Sequence, residues 1–189
     1  MYSKAKIAGH PLHPMLVAFP IAFYVGTLGS LLAFAGTHDL FWYRLAFIVN
    51  VVALIMAAVA VIPGLIDLFS TPPRSEARQT GYKHAGLNVL TLVLFLISAI
   101  ILGRNWSDPN VVNGVRAPDL AAPLVLSIIG TLTLLGAGWF GWTLVQTHHV
   151  GVLDRAADLH GPGEPMLDER EPYLPPTVRE PERQIPIRH

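Results

Sequence analysis

Four long stretches of this chain contain no Asp, Glu, Lys, Arg or His: residues 15–35, 45–66, 85–103 and 120–147. A helix needs about 20 apolar residues to cross about 30 Å of hydrocarbon, and a charge at mid-bilayer costs on the order of 3 kcal/mol. The four runs are apolar on every face, unlike the one-sided helices of a soluble bundle. The expected fold class is therefore all-α: an integral membrane four-helix bundle with spans at about 15–35, 42–66, 84–103 and 122–147. The membrane domain takes residues 1–151 and a proline-rich extended tail takes 152–189.

Charge sharpens this division. The formal net charge of +0 is a cancellation, because residues 1–150 carry a net +3 and residues 151–189 a net −3. No basic run offers a footprint for nucleic acid. The absence of cysteine excludes a disulfide framework, a thiol nucleophile and an iron–sulfur cluster held by this chain. The tail holds seven prolines and thirteen charges, too little apolar surface to offset the entropy of ordering it. It is read as disordered, or as an arm along a partner subunit anchored by Tyr173, Leu174, Ile185 and Ile187.

Residues near the membrane surfaces refine the spans. Phe41, Trp42 and Tyr43 read as an aromatic belt, with Trp139 and Trp142 as another. Pro63-Gly64 is expected to kink or end the second helix, and Pro20 to bend the first. Lys4, Lys6, Arg74, Arg78, Lys83 and Arg155 flank one side, against Arg44, Arg104 and Arg116 on the other. That asymmetry gives both termini inside, in a prokaryotic inner membrane. The basic N-region and Ala33-Phe34-Ala35 mimic a signal sequence, but the 15–35 run is too long for one and is read as an uncleaved span. No internal repeat marks the helices as two copies of one hairpin.

Histidines carry the chemical signal. His10 and His13, each followed by proline, stand before the first span; His84 stands before the third; His148 and His149 end the fourth; Asp67 follows the second. All fall on one membrane side and can converge at one end of a narrow bundle. Neutral imidazoles ligate haem and metal ions, and a carboxylate orients such ligands from behind. The candidate ligands are His10, His13, His84 and His148, with Asp67 as the orienting carboxylate. The plainer reading has these histidines as headgroup-level polar residues and Asp67 as a surface ion pair with Arg74 and Arg78. Asn50 and Asn88 read as interhelical hydrogen-bond partners, and Gly136, Gly138 and Gly141 as close-packing positions.

Three segments together resemble a known family. Gly9-His-Pro-Leu-His-Pro-Met-Leu-Val-Ala-Phe-Pro-Ile21, His84-Ala85, and Leu144-Val145 followed by His148 and Val150-Gly151-Val152 are similar to the four-helix prokaryotic membrane proteins named domain of unknown function 2231. That family typically has glycine directly after its fourth-helix histidine, where this chain has His149. The resemblance implies a compact four-helix membrane domain working beside Rieske-type, cytochrome or dehydrogenase-like redox modules, which here must be separate subunits. Three functions stay open. The leading one is a b-type cytochrome-like redox subunit, non-catalytic itself, with haem b on the histidines. The others are a non-haem transition-metal site on the same residues, and a cofactor-free structural subunit of a larger assembly.

Overall fold

The computed structural model describes residues 3–8, 10–106, 108–112, 114 and 116–152. The tail expected at 152–189 lies outside the described residues from 153 onward. A two-stranded antiparallel ribbon opens the fold: β1 (Lys6–Ile7) pairs with β2 (His10–Pro11), Ile7 opposite His10. Helices α1 (Leu12–Thr37), α2 (Leu40–Ser70), α3 (Glu76–Trp106), the single turn α4 (Pro109–Val112) and α5 (Ala121–Gln146) follow.

The four long helices have 26, 31, 31 and 26 residues, and each is apolar enough to cross a membrane. At 1.5 Å per residue they reach about 39 to 46 Å, beyond a hydrocarbon core of about 30 Å. Their outward faces are large and apolar, including Val25, Leu32, Ile55, Leu96 and Leu132. Their inward faces hold small or polar residues: Thr27, Asn50, Thr91, Ser98 and Ser127. Lipid replaces water outside, so close packing and hydrogen bonding, rather than apolar burial, hold the helices together. Trp139 and Trp142 face outward as expected of a belt, and so does Phe41. Tyr43 does not: it is buried against Phe34 and donates its hydroxyl to the Asp119 carbonyl at 3.2 Å.

Local chemistry sets the ends. His38 closes α1 in the left-handed region, its N–H bonding Phe34 O at 2.8 Å. Asp39 then caps α2 by accepting from Phe41 N at 2.9 Å. Pro63 does not end α2, which continues to Ser70. It removes one intrahelical donor, and the surrounding helices keep the turn in place.

The main contacts are α1 on α2 and α3 on α5; α2–α3 and α1–α5 contacts close the ring. These two hairpins repeat one another, correcting the expectation of no internal repeat. With His13 set against His84, the buried positions Pro20, Tyr24, Thr27, Leu31 and Phe34 of α1 match Thr91, Phe95, Ser98, Leu102 and Asn105 of α3. With Ala60 set against Ala137, buried Ala46, Asn50 and Ala53 of α2 match Pro123, Ser127 and Gly130 of α5. The hairpins thus behave as parallel repeats about an axis along the membrane normal, an arrangement known from membrane transport proteins. On that axis the Tyr24 and Phe95 rings stack, centres 4.1 Å apart.

Candidate functional site

The repeat brings together two of the four candidate histidines. His13, in the first turn of α1, donates from Nδ1 to the Ala60 carbonyl of α2 at 2.8 Å. His84, near the start of α3, donates from Nδ1 to the Ala137 carbonyl of α5, also at 2.8 Å. The two rings stand edge to face, centres 6.1 Å apart and planes at 88°.

A glycine makes each of these bonds possible. In an α-helix the side chain at i+4 overhangs the carbonyl oxygen of residue i. Four residues after Ala60 stands Gly64; four after Ala137 stands Gly141. A Cβ on Gly64 would lie 2.8 Å from His13 Cε1 and Nδ1, and one on Gly141 3.1 Å from His84 Cε1. Pro63 leaves the neighbouring Val59 carbonyl without its helical donor, and the Ala60 oxygen accepts from His13 with its second lone pair.

Since a carbonyl only accepts, Nδ1 carries the proton in both rings. The remaining nitrogen, Nε2, is then the ligating or accepting atom. In His84 it accepts from Asn88 Nδ2 at 3.1 Å, an amide that also donates to the His84 carbonyl at 2.9 Å. Asn88 therefore serves its own helix, not a neighbour; Asn50 is the interhelical partner, donating to Phe95 O at 3.1 Å.

The other candidates sit elsewhere. His10 is exposed, and its Nδ1 bonds Ala8 O at 3.0 Å within the ribbon turn. His148 pairs its Nε2 with Thr80 Oγ1 at 3.3 Å, one turn before His84 on α3. Asp67 orients no imidazole and forms no ion pair with Arg74 or Arg78. Its carboxylate accepts from Ser3 Oγ at 2.8–2.9 Å, Lys4 N at 2.9 Å and Ala5 N at 3.3 Å, fastening the N-terminal ribbon to the end of α2. Arg78 instead bonds the Thr71 carbonyl and Tyr82 hydroxyl. Among the described residues, no three His, Asp or Glu side chains are placed to share a metal ion.

The family of predicted membrane proteins designated DUF2231 matches residues 9–154, which includes the ribbon's second strand and every long helix. The chain belongs to the DUF2231 family. No curated protein and no solved structure matches it. At His149, where this DUF2231 chain departs from glycine, φ is 51°, a conformation that glycine adopts without strain. Sequence reasoning took Gly141 for packing and Pro63-Gly64 for a helix break. Both glycines instead let a histidine reach main chain. The available signal was their shared position, each following by four residues an alanine in the last third of its helix.

Proposed function

We propose that this domain is a membrane redox subunit in which His13 and His84 hold haem b near one end of the bundle. The supporting observation is the pair of imidazoles on the repeat axis, each fixed by a main-chain carbonyl at Nδ1, which leaves Nε2 as the nitrogen that can ligate. Such a bond to the distal ring nitrogen sets the tautomer and orientation of a ligating histidine and raises its basicity.

The ligand count favours haem over a bare ion. Zinc and most transition-metal sites take three or four protein ligands. Two imidazoles suffice where a porphyrin provides the others. A bound haem would supply one-electron transfer, with His13 and His84 as the residues that hold it. The protein's part is to position: Ala60 and Ala137 hold the rings, Gly64 and Gly141 leave them room, and ligation by His84 would require Asn88 to give up its bond to Nε2 while keeping that to the His84 carbonyl. The electron donor and acceptor are separate subunits, with the 152–189 tail as a contact for them. Loop charge supports an inner-membrane location with both termini inside.

The Asn88–His84 bond also supports the cofactor-free reading, in which the histidines only tie hairpins together. One experiment decides. The full chain, expressed with ample haem, is purified and its reduced-minus-oxidised spectrum taken. A haem band is expected, lost in His13→Ala and in His84→Ala and retained in His10→Ala. Absence of the band in the parent protein rejects haem; its survival in either axial variant rejects the ligand assignment.

A further inference from the structure

The middle of the bundle contains four buried polar atoms with no hydrogen-bond partner: Tyr24 Oη, Asn50 Oδ1, Ser98 Oγ and Ser127 Oγ. Asn50, Ser98 and Ser127 are 0% exposed and Tyr24 is 2% exposed. Leaving such atoms bare costs about 1–3 kcal/mol each, and more where hydrocarbon surrounds the bundle. They lie within about one helical turn of Phe95, the hub of this region. Asn50 bonds the Phe95 carbonyl, Tyr24 stacks on its ring, and a Cβ on Gly130 would meet that ring at 2.7 Å. Ser98 is one turn beyond Phe95, and Ser127 one turn before Gly130. Asn50 and Ser127 are also repeat counterparts, so the orphaned oxygens lie on both sides of the axis.

Polar groups continue from this level toward the histidines. On α3 the inward positions are His84, Asn88, Thr91, Phe95 and Ser98, recurring every three or four residues. Thr91 and Thr133 share a hydroxyl–hydroxyl bond of 2.8 Å, and Asn88 bonds His84. Toward the opposite face the file meets Leu31 and Leu102, both 0% exposed, which pack in one cluster with Phe34, Tyr43 and Ala46.

We infer that Tyr24, Asn50, Ser98 and Ser127 form a binding site for internal water, reached from the histidine end along α3. Buried waters occupy sites where two to four polar groups otherwise lack partners, which is the condition here.

A chain without cysteine permits a direct test. Ser98→Cys, Ser127→Cys and Leu102→Cys are made singly in the full chain and exposed to silver ion in micelles. Blocking is read as protection from N-ethylmaleimide after denaturation. Thiolate, the reacting form, needs water around it, so Ser98→Cys and Ser127→Cys should be blocked about tenfold or more faster than Leu102→Cys. Rates for both no faster than for Leu102→Cys would overturn the site. Adding Thr91→Leu should slow Ser98→Cys; an unchanged rate would overturn the route. Should a cysteine variant misfold, Tyr24→Phe decides the same point. Removing a hydroxyl that bonds water lowers Tm, whereas removing one that is bare in a dry core raises it, which would overturn the proposal.

Discussion

Gly64 and His13 are in contact at the limit of what atoms allow: a single carbon added to the glycine would sit 2.8 Å from the imidazole. The bond from His13 to Ala60 therefore depends on an absent side chain as much as on the histidine. Gly64→Ala should push the ring off the carbonyl and lower stability by about 1–3 kcal/mol, the usual cost of overpacking. Gly141→Ala, with a nearest approach of 3.1 Å, should cost less. Thermal unfolding of both variants, followed by tryptophan fluorescence, gives the order.

Phe95 is the hub of the interior, and Phe95→Ala should be the most damaging single truncation. It removes the stack with Tyr24 and opens the space beside Gly130. A loss of about 3–5 kcal/mol is expected. Chemical denaturation in mixed micelles measures it, and a loss comparable to that of an outward-facing Leu132→Ala would refute the assignment.

Asp67→Asn should free the N-terminal ribbon without opening the bundle. Hydrogen bonds to a carboxylate contribute about 1.5–3 kcal/mol, and the amide retains only part of this. Hydrogen exchange at Lys4 and Ala5 should quicken several-fold while the helix cores exchange as before.

The connection from α3 to α5 should respond to acid. Arg116 donates to Asp108 at 2.6 Å, and with Asn110 N holds the Asp108 carboxyl below its ordinary value. A depressed carboxylate stabilises the fold above its unfolded pKa, near 4, and loses that contribution as pH falls through the folded value. The segment around Asp108 should therefore stay protected at neutral pH and loosen below about pH 4. Arg116→Ala should move the loosening upward, read as exchange of the Asn110 and Val111 amides against pH.

The spans were legible because charge is nearly forbidden in hydrocarbon, and its absence over twenty residues has few other causes. Side-chain direction was less legible. Phe41, Trp42 and Tyr43 are three aromatics in a row, and only helix rotation sends Tyr43 inward to Asp119. The histidine end was anticipated as a cluster, but His13 and His84 separate from His10 and His148 through ribbon geometry and the partner Thr80. The repeat was hidden because many of its counterparts agree in burial and not in identity: proline faces threonine at Pro20 and Thr91, and asparagine faces serine at Asn50 and Ser127, and the identical pairs, such as His13 and His84, are widely spaced. Asp67 looked like chemistry because carboxylates near histidines often are, yet its partners lie in the ribbon, where sequence distance conceals them.

The two hairpins meet as identical subunits meet in a two-fold dimer, each presenting to the other the face it receives. Here the residues between Ser70 and Glu76 join them covalently, so their association does not depend on protein concentration. Covalent joining also lifts the requirement that the halves stay alike. Val17 now stands where its counterpart is Asn88, and Tyr24 where its counterpart is Phe95. The seam has the shape of a homodimer, with chemistry that differs on its two sides. Of the two histidines on the axis, only His84 has an asparagine at its outer nitrogen.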